Sequence, residues 1–227
     1  MLSLKNISKS FGGVKAVDKC AFEVEDNTIT SLIGPNGAGK TTAFNIISGL
    51  TKPDSGIIKL LRKDITNMPA YRIAQAGISR TFQLTKVFRN MSIRDNLLIA
   101  KNADEKEMKE MLESVYLHKP LDTIASELSY GQQRLLEIAR ALLMPHSLLM
   151  LDEPTAGINP KIRQELKHIL KKLKKEGKTV LLIEHDMGFV MDASDAVIVL
   201  NEGRVLKEGK PKEIVKDKKV LEAYLGK

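Results

Sequence analysis

Residues 28–42 read Thr28-Ile-Thr-Ser-Leu-Ile33-Gly34-Pro-Asn36-Gly37-Ala38-Gly39-Lys40-Thr41-Thr42. An apolar run of strand length enters a glycine-rich turn, and from Lys40 to Leu50 the pattern becomes helical. Gly34, Gly37 and Gly39 let the backbone wrap closely around a phosphate, so that consecutive amide N–H groups and the following helix start face negative charge. In a Gly-x-x-x-x-Gly-Lys-Thr pattern, Lys40 reaches the β- and γ-phosphates of a nucleotide and the Thr41 hydroxyl ligates Mg²⁺. This strand–turn–helix unit decides for an α/β fold.

Strand and helix patterns alternate outward from it. Ile57–Leu61 and Ile78–Phe82 read as further strands. From about Ser92 to Met144 the pattern turns helical, with a polar Lys/Glu-rich middle from Asn102 to Glu110. After Pro145 the strands return at Leu148–Leu151, Thr179–Glu184 and Ala196–Leu200. The order predicts an α/β core interrupted by a helical insertion at roughly 84–146, all within one domain spanning 1–227.

A second motif lies at Leu148-Leu-Met-Leu151-Asp152-Glu153. It places two acids at the carboxyl end of a buried strand, where ligands gather in open α/β sheets. Buried carboxylates are costly unless paired with a cation or metal. Asp152 is therefore a candidate for the Mg²⁺ shell, and Glu153 for a general base that polarises an attacking water. The bland alternative is that both acids merely open the turn at Pro154.

A third motif reads Leu128-Ser129-Tyr130-Gly131-Gln132-Gln133. Ser129 and Gln132 have capping-box spacing ahead of an apolar helix that Pro145 ends. A helix start carrying a hydroxyl and a glycine is also an anion site.

Taken together, the glycine loop and the later Leu-Ser-x-Gly-Gln run resemble those of an ATP-binding cassette ATPase. The resemblance implies a P-loop NTPase (RecA-like) core with an N-terminal antiparallel β subdomain and an inserted α-helical subdomain. It also implies a head-to-tail dimer with ATP at the interface. On one chain the nucleotide would meet Phe11, Val17, Gly34, Asn36, Gly37, Ala38, Gly39, Lys40, Thr41 and Thr42; on the other, Ser129, Gly131 and Gln132. Mg²⁺ would fall to Thr41, Gln83 and Asp152, and hydrolysis to Glu153 assisted by His185 and Gln83. Phe11 matches the ring that stacks on adenine, with a turn-anchoring core Phe as the alternative. His185 matches the switch histidine at the γ-phosphate.

Thr155-Ala-Gly-Ile-Asn159 matches the dimer-contacting loop, but Asn159 stands where Asp is more usual. Tyr130 likewise replaces the commoner glycine. Phe11-Gly-Gly-Val-Lys-Ala-Val17, Arg80-Thr-Phe-Gln83, Leu128–Arg134 and Ala156–Pro160 together look like ATPase subunits of branched-chain (hydrophobic) amino-acid importers. Against those relatives the segment from Gln83 to Leu128 is short. The partners so implied are an integral-membrane permease, a second cassette subunit, identical or paralogous, and an extracytoplasmic substrate-binding protein. The place implied is the cytoplasmic face of the cell membrane. Val87 and Phe88 could line a groove for a permease helix, or belong to the core of the helical insertion. Alternatives are a cassette serving urea, lipid or lipopolysaccharide transport, a soluble cassette acting on ribosomes or DNA, and an unrelated P-loop kinase.

Composition agrees with a globular ATPase. Of 227 residues, 43% are hydrophobic and 28% charged, which argues against disorder. The start Met1-Leu-Ser-Leu-Lys-Asn has no secretory pattern. The richest apolar stretch, Ala141–Leu151, is broken by Pro145 and too short to span a bilayer. Cys20, the one cysteine, reads as a small apolar filler. The net charge of +8 favours anionic partners, yet many lysines fall on the polar face of one helix, Pro160–Glu176. There Ile162, Leu166, Ile169, Leu170 and Leu173 recur at helical spacing, Asn159 caps the start and Gly177 suits the stop. A solvated face accounts for that charge, and no nucleic-acid partner is expected.

Overall fold

The computed structural model describes residues 1–82 and 86–225. In chain order it runs β1 (Leu2–Phe11), β2 (Val14–Val24), β3 (Ile29–Ile33), α1 (Lys40–Ile47), β4 (Ser55–Leu60), β5 (Lys63–Asp64), α2 (Ala70–Gln75) and β6 (Ile78–Arg80). Then come α3 (Ile93–Leu98), α4 (Glu105–Ser114), α5 (Tyr130–Leu143), β7 (Leu148–Asp152), α6 (Pro160–Lys175) and β8 (Thr179–Ile183). The chain closes with α7 (Met187–Ala193), β9 (Ala196–Asn201), β10 (Arg204–Gly209), α8 (Pro211–Ile214) and α9 (Lys218–Leu225).

The larger sheet has the order β10-β9-β3-β8-β7-β6, parallel except for the edge strand β10. A second, antiparallel sheet has the order β2-β1-β4-β5. The parallel strands are continuous apolar runs because both faces are covered. On β7, Leu149 and Leu151 face a core shared with α3 to α7, while Leu148 and Met150 face one shared with α1 and the antiparallel sheet. On β8, Val180 and Leu182 join the first core and Leu181 and Ile183 the second.

Sheet order explains where the chemistry gathers. Neighbours β3, β8 and β7 carry the glycine loop, His185 and the Asp152-Glu153 pair directly at their carboxyl ends. Register aligns them, with Leu32 opposite Ile183 and Ile183 opposite Asp152.

Within 92–144, where the pattern turns helical, the structure has the three helices α3, α4 and α5. α4 ends where Tyr116 turns to φ +59°, and between Val115 and Leu128 the chain forms turns and a 3₁₀ turn at Ala125–Glu127. The helix after the third motif starts at Tyr130, with Ser129 as its N-cap and Gln132 completing the capping box that the spacing predicts. The lysine-rich helix agrees: Asn159 caps α6 and all five apolar positions are buried. Lys167 and Lys174 pair with Asp192 and Asp195, so part of the positive charge is matched locally. Cys20 is buried, and burial pushes its thiol up to about 12. No helix among the described residues is long and apolar enough to cross a membrane.

Candidate functional site

The glycine loop is held by its neighbours so closely that side chains are excluded. A Cβ on Gly34 would lie 2.1 Å from the Leu200 carbonyl oxygen, and one on Gly39 would lie 2.3 Å from that of Ala16. Gly39 also sits at φ +96°, outside the comfortable range of L-residues. The turn after β9 completes the support. The Gly203 N–H donates to the Ala38 carbonyl at 3.1 Å, and its carbonyl accepts from the Asp18 amide at 2.9 Å. Asn36, Gly37 and Thr41 remain exposed, Thr42 is half-buried, and Ala38 is buried. The buried Lys40 folds over its own loop, its Nζ donating to the Gly34 and Pro35 carbonyls at 2.7 and 2.9 Å. Burial lowers its pKa, while Glu153 and Asp152 oppose that shift.

Asp152 is buried at the end of β7. Its Oδ2 accepts from Arg80 Nη2 at 3.0 Å, and Arg80 is fixed in turn by Asn45 and Ser48 at the end of α1. Its Oδ1 is buried and has no hydrogen-bond partner among the described residues. Such an atom is costly unless a further group satisfies it, and a hard, oxygen-preferring cation or its water shell is a fitting one. Burial raises the carboxyl pKa, and the Arg80 guanidinium pulls it back. Among the described residues no group of three or more His, Cys, Asp or Glu is placed so that it could by itself hold a metal ion. Mg²⁺ sites built from one carboxylate, a hydroxyl and phosphates do not need one.

Glu153 adopts φ +46°, a left-handed conformation that costs a non-glycine residue on the order of 1–3 kcal/mol and occurs chiefly where surroundings enforce it. Here its N–H donates to the Ile183 carbonyl at 3.0 Å and its own carbonyl accepts from Arg134 at 3.0 Å. The conformation turns the side chain toward His185, whose Nε2 lies 2.9 Å from Glu153 Oε1. The structure thus brings the candidate base and the candidate switch histidine into direct contact.

Ser129, Gly131 and Gln132 form the start of α5. Ser129 Oγ accepts from the Gln132 amide at 3.3 Å, and Gln132 Oε1 accepts from the Ser129 amide at 3.1 Å. No hydrogen bond among the described residues joins these three to the glycine loop of the same chain. Tyr130 packs on the 155–159 turn, where a Cβ on Gly157 would lie 3.2 Å from its Cε1. Asn159 accepts from the Ile162 amide at 3.0 Å, so an uncharged cap serves α6 where the family more often has an acid.

Phe11 ends β1 at 52% exposure, with the Lys9 ammonium 5.6 Å from its ring centroid. A ring so open is not a core anchor. Val17 is buried in the core, adjacent to the Ala16 carbonyl that abuts Gly39. Val87 packs against the helical core, and its neighbour Phe88 is exposed. Gln83 lies outside the described residues.

Sequence reasoning missed three buried polar groups. Arg134, 1% exposed, pairs with Glu137 at 2.7 Å and donates to the carbonyls of Phe82, Asp152 and Glu153. Glu137 accepts from the Phe82 amide at 3.2 Å. Glu184, 2% exposed, bonds the turn at Thr155. The available signal was charge inside apolar runs: Arg134-Leu-Leu-Glu137 at i,i+3, and Leu-Leu-Ile-Glu184.

Known proteins share this arrangement. Residues 17–156 match the family model described as ABC transporter, and residues 204–227 match one described as Branched-chain amino acid ATP-binding cassette transporter. The high-affinity branched-chain amino acid transport ATP-binding protein BraF of Pseudomonas aeruginosa is 41% identical over 249 aligned positions, covering 100% of this chain and 98% of that protein. LivG of Escherichia coli, with the same descriptive name, is 39% identical at the same coverage. The lipopolysaccharide export system ATP-binding protein LptB of Acidithiobacillus ferridurans is 35% identical, covering 100% of this chain and 97% of that one. Among solved structures, a nucleotide-free ATP-binding cassette from an ABC transporter superposes with TM-score 0.91 at 33% identity, covering 100% of this chain and 99% of that chain. The ADP conformation of the cassette MJ1267 superposes with TM-score 0.90 at 34% identity and the same coverage. Built on that fold and carrying those motifs, the chain belongs to the ABC transporter family of ATP-binding cassettes.

Proposed function

We propose that this chain is the ATP-hydrolysing subunit of a membrane importer for branched-chain or similar hydrophobic amino acids. It would act at the cytoplasmic face of the membrane with a permease, a second cassette and an external binding protein. The observation that carries the cargo is the likeness to branched-chain amino acid transporters, which extends from the catalytic core to the terminal segment 204–227.

The geometry supports a specific division of labour. The backbone N–H groups of residues 36–41 and Lys40 would hold the phosphates, which must draw Lys40 away from the Gly34 and Pro35 carbonyls it now contacts. Mg²⁺ would be held by Thr41, Asp152 and Gln83, and when bound it neutralises charge developing on the phosphates. Phe11 offers an exposed face for adenine. Glu153 polarises the attacking water and His185 orients it. Ser129 and Gly131 would present the start of α5 to the γ-phosphate of ATP held by the partner subunit, so that nucleotide binding and dimer closure are linked.

Purification from native membranes followed by reconstitution tests this reading. A permease should accompany the chain, and ATP hydrolysis should rise when a leucine-loaded binding protein is added. Stimulation by lipopolysaccharide instead, or recovery with ribosomes or DNA and no permease, would overturn the cargo assignment.

A further inference from the structure

A buried carboxylate beside the site has no part in that division of labour, and the role inferred for it rests on the ATPase reading. Glu184 follows the last residue of β8 and is 2% exposed. Its Oε1 accepts from the Thr155 amide at 3.0 Å. Its Oε2 accepts from the Thr155 hydroxyl at 2.8 Å and the His185 amide at 3.2 Å.

These donors come from two loops. Thr155 lies two residues beyond Glu153 on the turn after β7, while His185 follows β8. The loops meet again at their tips, through the 2.9 Å contact between His185 and Glu153. A leucine in place of Glu184 would extend the apolar run of β8 and avoid the desolvation that burying a carboxylate entails. Retaining the charge here gives the loops a common acceptor that no apolar residue could supply. The turn it holds also carries Gly157, against which Tyr130 packs, so the brace extends to the start of α5.

We propose that Glu184 is a positioning residue for hydrolysis, its carboxylate tying the Thr155 turn to the His185 loop and thereby fixing His185 against Glu153. It acts through those two residues and not on the nucleotide.

The test uses the full chain and compares Glu184→Gln with the wild type. The amide can replace only one of the two carboxylate oxygens, and in either orientation its NH₂ faces a backbone N–H, that of Thr155 or that of His185, which is itself a donor. The expected result is a fall in kcat of about tenfold to a hundredfold, as for displacement of a catalytic group by a fraction of an ångström to about 1 Å. KM for ATP and Kd for ADP should stay within about twofold, because phosphate binding is untouched. A second pair guards against a folding defect. Thr155→Ser keeps the hydroxyl and should keep the wild-type kcat; Thr155→Val loses it and should fall several-fold at unchanged Kd for ADP. Wild-type kcat in folded Glu184→Gln, parallel loss of kcat and nucleotide affinity, or equal kcat in the two Thr155 variants would each overturn the proposal. Failure of the underlying ATPase reading is distinguishable, since it would show as a wild-type chain without ATP hydrolysis or a fully active Glu153→Gln variant.

Discussion

His185 Nε2 lies 2.9 Å from Glu153 Oε1, joining residues 32 positions apart across neighbouring strand ends. A carboxylate accepts only, so the imidazole must present Nε2–H toward it. The contact fixes the direction of the Glu153 side chain, and His185→Ala should release it. Hydrolysis is expected to fall by about a hundredfold or more, with nucleotide affinity retained. Steady-state kinetics beside fluorescent-ADP titration checks this.

Gly39 tests the loop. Its missing Cβ leaves room for the Ala16 carbonyl oxygen 2.3 Å from where that atom would stand, and φ is +96°. Gly39→Ala must therefore both strain the backbone and displace β2, at roughly 1–3 kcal/mol for the conformation alone. Thermal unfolding should show a lower Tm, and the folded fraction should bind ATP poorly.

The Arg134–Glu137 pair, each side chain 2% exposed, joins α5 to the backbone on which Asp152 and Glu153 stand. Removing one partner leaves a buried charge. Arg134→Met is expected to cost about 3–5 kcal/mol in urea unfolding, and Arg134→Met with Glu137→Leu should recover much of it.

The glycine loop, Asp152-Glu153, the Ser129 cap and α6 were legible in the sequence because each is a local pattern with its own spacing. The antiparallel strands β1 and β2, and the β9–β10 turn that braces Ala38 through Gly203, were not readable from periodicity. Their supporting contacts include segments far away in the chain, and β1 is half-exposed and irregular in register. Arg134, Glu137 and Glu184 escaped for a related reason. Inside an apolar run, a charged residue reveals its partners only once the fold brings them close.

His146 gives a prediction in pH. Its Nδ1 lies 2.8 Å from the Met144 carbonyl, and its Nε2 is buried without a hydrogen-bond partner among the described residues. Burial lowers its pKa, so the folded state resists the proton that the unfolded chain accepts near 6.5. The unfolded chain therefore binds more protons as the solution is acidified: stability is fully retained above pH 6.5 and declines as pH falls from there toward the folded value. Urea unfolding from about pH 8 to about pH 5 should show a decline that His146→Gln makes shallower.

The proposed mechanism depends on ATP being shared between two cassette subunits, bound by the loop of one and the α5 start of the other, and a pair of identical chains is the form put to the test. Static light scattering of Glu153→Gln with Mg²⁺ and ATP tests it most directly, because binding is kept while hydrolysis is blocked. The predicted result is conversion from monomer to dimer on adding ATP, with ADP ineffective and Ser129→Arg abolishing the change. A Glu153→Gln chain that binds ATP yet stays monomeric, or dimerises equally with ADP, would contradict it.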